Sequence, residues 1–261
     1  MTRVISGVII AAVALAAILF LPFIGLRVLA SLVAGFAADE YVRITHPEAA
    51  RRLEGLVVIA VVIYTCWWAA VPAPLSLVPL SIVVILWLAF AVLRQSQTIQ
   101  QATVDVVAPI YIGAPLGMLV ALQNLSGPKA TLLLIATIVV SDTAQYYTGR
   151  AFGRRPLAPT ISPKKTVEGA IGGVMFGALF MAIAITFVFP ATPIVVRVLL
   201  GLVIVFLGII GDLFESRLKR VAGLKDSSAL IPGHGGVLDR IDALLFAIPM
   251  FYFMVLQGRV A

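Results

Sequence analysis

The feature that most constrains this chain is a succession of apolar segments, each close to the length that crosses a bilayer. A spanning helix takes about 20 mainly apolar residues. Nine segments qualify: residues 4–21, 22–38, 55–71, 77–93, 106–123, 130–149, 168–190, 194–215 and 240–258. In hydrocarbon every backbone N–H and C=O must be bonded within the protein, and segments of this length do so as helices. The expected fold class is an all-α integral membrane protein of about nine transmembrane helices. Composition agrees: 61% of residues are hydrophobic and 12% charged, with a mean hydropathy of +1.10, outside the range of soluble domains. Arg3 ahead of an apolar run has the form of a signal peptide, but Pro22 leads directly into more apolar sequence. The first segment is therefore read as a retained helix. A re-entrant hairpin over the first two segments is the alternative.

Three polar stretches interrupt the pattern. Residues 39–54 form a charged loop, with an interfacial helix as the alternative, and residues 94–105 are Gln-rich. Residues 150–167 are basic, and their prolines prevent a long helix. With nine spans the loops alternate between two faces. One face takes all but four of the 19 Lys and Arg residues, the exceptions being Arg27, Lys129, Arg197 and Arg259. Positive loops stay inside, so the rich face is expected to be cytoplasmic and the protein a multi-pass protein of the inner (plasma) membrane. The net charge of +7 is spread over these short loops. It fits anionic lipid headgroups rather than nucleic acid. A single cysteine, Cys66, excludes a disulfide framework and a cysteine-based metal site. The expected division is a scaffold of N-terminal helices over 1–130 and a catalytic membrane region over 131–261.

Charge then concentrates. Residues 211–242 hold five of the twelve acids, Asp212, Glu215, Asp226, Asp239 and Asp242. They also hold Arg217, Lys219, Arg220, Lys225 and Arg240. Such groups are costly beside a bilayer and mark a functional site by default. Carboxylates hold hard cations such as Mg²⁺, and Lys and Arg neutralise phosphates. Asp239 and Asp242 share a helix face, as do Asp212 and Glu215. A folded-back loop between them could bring Asp212 and Asp239 to one metal. The plainer reading is helix capping, or pairing with Arg217 and Arg240. Asp142, at the end of its span, could reach the interface or pair with Arg150. Lys164 and Lys165 precede an apolar helix, with Thr166 as its cap and Glu168 in its first turn. That is a positive flank, or a grip on phosphate. Gly169, Gly172, Gly173 and Gly177 read as a helix-packing face. His234 is either a structural residue or faces a ligand.

Three blocks together resemble the phosphatidate cytidylyltransferases, also called CDP-diacylglycerol synthases, of bacterial type. The first is the signature Ser216, Lys219, Arg220, Lys225, Asp226, Pro232, His234, Gly235, Gly236, Asp239, Arg240 and Asp242. The others are SDTAQYYTGR over 141–150 and SPKKTVEGAIGG over 162–173. Gln145 and Ser228 depart from the pattern, where a small residue and Gly are usual. The resemblance implies transfer of a cytidylyl group from CTP to phosphatidic acid, with pyrophosphate released. It implies Asp212 and Asp239 as metal-binding carboxylates, for Mg²⁺ with a second, monovalent cation. Asp212, Asp239, Lys219 and Lys225 become candidate catalytic residues. Asp142, Ser162, Lys164, Lys165, Ser216, Arg220, Asp226, His234, Gly235 and Arg240 become candidate substrate-binding residues. It also implies a homodimer. Two other readings stay open: a CTP-dependent lipid kinase, and a transporter for an anionic substrate.

Overall fold

The computed structural model describes residues 2–46, 53–71, 105–231 and 235–260. The expected span at 77–93 and His234 lie outside the described residues. The other eight expected spans coincide with eight helices. These are α1 (Thr2–Phe20), α2 (Phe23–Thr45), α3 (Leu53–Ala69), α4 (Asp105–Ser126), α5 (Pro128–Phe152), α6 (Val167–Ala184), α7 (Ile194–Val221) and α8 (Leu238–Leu256). Among the described residues, α4, α5, α7 and α6 with its short 3₁₀ extension to Phe187 are long and apolar enough to cross a membrane. The protein is an integral membrane protein built of helices, with one small exception. Strands β1 (Pro156–Ala158) and β2 (Ser162–Thr166) form an antiparallel hairpin, Pro156 opposite Thr166 and Ala158 opposite Ser162. The prolines of this stretch exclude a helix, as expected, but two strands form where a loop was anticipated.

Two compact units divide the chain. The first comprises residues 1–121 and 226–239, the second 122–225 and 240–261. In the first, α2 packs on α3, and α3 on the widened π turn Pro109–Gly113 inside α4. Pro109 lacks an N–H, so a local break in the α ladder there costs less than elsewhere. Gly113 lets the backbones approach: a β-carbon on it would lie 2.6 Å from the Val62 carbonyl oxygen. A charge in this apolar pair is satisfied locally. Arg27 of α2 donates twice to the Trp67 carbonyl of α3, at 2.9 and 2.6 Å. Its guanidinium lies 3.9 Å from the centre of the Trp67 ring.

The charged stretch expected as a loop from residue 39 is helical as far as Thr45, because α2 simply continues. Asp39 and Arg43 pair one turn apart at 2.8 Å on the outside, while Glu40 points inward and is buried. The run Ala37, Ala38, Tyr41 and Val42 is buried with it, which holds this turn in place.

In the second unit the most extensive packing joins α5 to α6 and then α6 to α7. The glycine face predicted for α6 forms this joint. A β-carbon on Gly173 would sit 2.7 Å from Gln145 Cγ, and one on Gly177 2.7 Å from Val205 Cγ2. Helix α7 runs six residues beyond the expected end at 215. The bases Lys219 and Arg220 in its last turn favour the extension, since cations stabilise a helix C-terminus. The helix then stops in a Schellman motif. Gly223 takes φ +70°, its N–H bonds Arg220 at 3.1 Å, and Leu224 N bonds the Lys219 carbonyl at 2.8 Å.

Candidate functional site

The hairpin β1–β2 and helix α7 bring the first pair of charges together. Lys165, alternating inward on β2 while Lys164 stays exposed, donates to Asp212 of α7. Ser216, one turn on, lies 3.4 Å from the other Asp212 oxygen. Asp142 of α5 and Asp242 of α8 are within electrostatic reach of both Lys165 and Asp212. Lys165 thus pairs with Asp212, and two further carboxylates lie within electrostatic reach of the pair. Such a cluster is unfavourable without a further cation.

The hairpin is fixed from several sides. Thr166 caps α6 by accepting from Gly169 N at 3.1 Å, as expected. Glu168 accepts from Arg154 N and Arg155 N at 3.0 and 3.2 Å, tying the entering chain to the same first turn. Arg220 Nε donates to Ile161 O at 3.1 Å, and its Nη1 to Leu224 O at 3.0 Å. Arg220 therefore holds the hairpin turn against the end of α7. Lys219 is buried and paired at 2.5 Å with Glu215, which has no solvent exposure. Ser162 is half-buried at the start of β2, whereas Lys225 and Arg240 are exposed.

Beside this cluster an apolar groove of 360 Å³ runs between α6 and α7, with Leu157 of the hairpin at its rim. Val167 and Leu213 line it, two residues from Lys165 and one from Asp212. Ile171, Met175 and Phe206 continue the lining and are exposed.

The remaining signature residues belong to the first unit. Asp226 is exposed, and the chain turns inward at Ser227. One oxygen of Asp239, in the first turn of α8, accepts from Ser227 N at 3.0 Å and Gly236 N at 2.8 Å and lies 2.9 Å from Ser227 Oγ. Gly235 adopts φ +77° and bridges to Ile231, with Ile231 N donating to its carbonyl at 2.9 Å. A side chain there would be strained and would meet the Asp239 carboxylate. The capping reading of Asp239 is thus realised, with its own loop as the partner.

Sequence reasoning missed Glu40. It lies on α2 in the half of the chain that carried no motif. Its carboxylate accepts from Ser227 Oγ at 2.9 Å, Ser228 Oγ at 2.6 Å, Val237 N at 3.0 Å and Leu238 N at 2.8 Å. An acid beside a run of small and apolar residues was the available signal, but its partners are 187–198 positions away.

Among the described residues, no group of three His, Cys, Asp or Glu side chains forms a ready-made metal cage. Mg²⁺ does not need one. It is usually held through one or two carboxylates, with waters and substrate phosphates completing its shell. The carboxylate oxygens of this cluster are hard donors of the kind that ion takes.

Long apolar helices, a basic hairpin and neighbouring carboxylates beside an apolar groove define a polytopic helical membrane protein. The chain belongs to the cytidylyltransferase family, whose profile matches residues 1–257. Among its curated relatives, the phosphatidate cytidylyltransferase of Aquifex aeolicus is 44% identical over 128 residues, 49% of this chain and 48% of that one. That of Bacillus subtilis is 36% identical over 175 residues, 66% and 65% of the two chains. That of Thermotoga maritima is 35% identical over 192 residues, 70% and 71%. The matched stretch thus spans about half the length of the Aquifex relative and about two thirds of the Bacillus one.

Proposed function

We propose that this chain is a phosphatidate cytidylyltransferase, converting CTP and phosphatidic acid to CDP-diacylglycerol and pyrophosphate. The observation that carries the reading is the pairing of Lys165 with Asp212 among further carboxylates, beside an apolar groove that suits an acyl chain. The matches to enzymes of that name support it. A phosphate oxygen of phosphatidate attacks the α-phosphorus of CTP. The bond to the β,γ-pyrophosphate breaks, and its electron pair leaves with pyrophosphate. A phosphomonoester is largely dianionic near neutral pH, its second pKa being about 6, so the attacking oxygen needs no strong base.

The chain's residues then act by positioning and by charge. Lys164 and Lys165, carried on a rigid hairpin, hold phosphate oxygens. Lys225, Arg220 and Arg240 supply positive charge for the phosphates, and the family resemblance adds Lys219, Ser162, Ser216, Asp142, Asp226, His234 and Gly235 as residues that would serve the reaction or contact the substrates. By the family resemblance Asp212 and Asp239 would hold Mg²⁺, which would supply charge neutralisation for the triphosphate and the leaving group, with a second, monovalent cation beside it. The acyl tails stay in the bilayer, one of them against the α6–α7 groove. The basic bias of the loops supports an active site on the cytoplasmic side of the plasma membrane, and the family resemblance supports a homodimer.

Purified protein in detergent, given phosphatidate and CTP labelled at the α-phosphate, should place label in the lipid. Label at the γ-phosphate should appear in pyrophosphate. Arrival of γ-label in the lipid would make the protein a kinase, and no product of either kind would leave transport.

A further inference from the structure

We propose that Glu40 of α2 is a positioning residue for the reaction, an anionic staple that closes the signature loop and sets the Asp239 carboxylate. This rests on the cytidylyltransferase reading for its catalytic consequence, though not for its geometry. Glu40 is 3% exposed. A buried carboxylate costs several kcal/mol unless it is fully hydrogen-bonded. Among the described residues its four donors are all neutral, and they come in two pairs. Ser227 and Ser228 stand where the loop begins, and Val237 and Leu238 N–H where it ends in α8. The last two are among the N–H groups that a helix start leaves without intrahelical partners. One side chain from a distant helix therefore joins both ends of the loop and caps α8.

The link to Asp239 is direct. Ser227 Oγ lies 2.9 Å from a Glu40 oxygen and 2.9 Å from an Asp239 oxygen. Its single hydroxyl hydrogen serves one carboxylate at a time. The same Asp239 oxygen accepts from Gly236 N, and a side chain at Gly236 would strike both Ser227 and Glu40. The glycine is needed because both oxygens of the Glu40 carboxylate and the Ser227 hydroxyl close on that point. Asp cannot span the same four donors, being one methylene shorter. Gln presents an NH₂ to groups that themselves donate. Ser228, where relatives of the signature usually carry Gly, adds a donor that such a chain would lack.

The test uses full-length protein in detergent without added metal. Hydrogen exchange is followed in peptides covering 226–231 and 235–240, alongside peptides from α6 and α7. Glu40→Gln should speed exchange at Val237 and Leu238 at least 10-fold and leave α6 and α7 protected. With substrates and Mg²⁺, its kcat should fall at least 10-fold while KM for CTP changes less than threefold. Ser227→Ala should reproduce both effects more weakly, and it decides the matter if Glu40→Gln loses protection everywhere. Unchanged exchange in the loop would overturn the staple. Faster exchange with unchanged kcat would overturn the positioning role. If the wild type transfers no cytidylyl group, the enzyme reading fails while the exchange data still decide the staple.

Discussion

The two units hold their carboxylates in opposite ways. In the first, Glu40 and Asp239 are surrounded by hydroxyl and backbone N–H donors, each bond fixing a piece of loop. In the second, Lys165 pairs with Asp212, and Asp142 and Asp242 lie within electrostatic reach of both. The first arrangement is satisfied as it stands and its product is shape. The second brings several carboxyl groups near a single ion pair, Lys165 with Asp212. Such imbalance is where ligands of opposite charge bind most strongly. The contrast says that position comes from one region and charge from the other.

The largest effect should come from breaking the charged side. Asp212→Asn should lower kcat/KM by about 10²- to 10³-fold, with purification yield and thermal stability as in wild type. Near-normal turnover in that variant would dissolve the contrast. Asp239 tests whether a carboxylate can serve both purposes. Asn still accepts hydrogen bonds, so the loop should lose at most about 1 kcal/mol, yet turnover should almost vanish if the charge holds Mg²⁺. EDTA should stop the wild-type reaction and Mg²⁺ restore it. Turnover indifferent to EDTA would confine Asp239 to its structural bonds.

The hairpin gives a finer discrimination. Lys165→Ala should reduce kcat/KM on the order of 10- to 100-fold, the scale of a lost hydrogen bond between charged groups. Lys164→Ala, at the exposed neighbour, should act mainly on KM and by less. Equal effects in steady-state kinetics would mean that the inward turn of Lys165 is irrelevant. The smallest effect belongs to a site that is shape alone. Gly223→Ala, forced to φ +70°, should cost about 1 kcal/mol, seen as a lower thermal midpoint with unchanged kcat.

The helices were legible because spanning length and apolar content are read along one dimension, and of the two backbone solutions hydrocarbon allows, helix or closed barrel, runs of this length suit the helix. The cap at Thr166 and the glycine face of α6 were legible for a similar reason, since their partners lie within a turn or follow from a period. The signature over 216–242 named chemistry-bearing residues but misjudged their local structure. Ser216 to Arg220 are helical, because Lys219 pairs with Glu215 one turn back and cations suit a helix end. The β1–β2 hairpin was hidden because two strands of three and five residues carry too little pattern to stand out from a proline-rich loop.

The sequence by itself determined that this chain lies in a membrane, where the described helices run to within a few residues at the majority of their ends, and which family it belongs to. Only the tertiary structure decided which charges meet. That Lys165 rather than Arg217 faces Asp212 depends on a strand register and on α7. That Glu40 holds a loop nearly 200 residues away depends on how α2 packs. Both are contacts between positions distant in the chain. Local pattern reports the solvent each residue faces, not its partner, and the partner decides what a buried charge does.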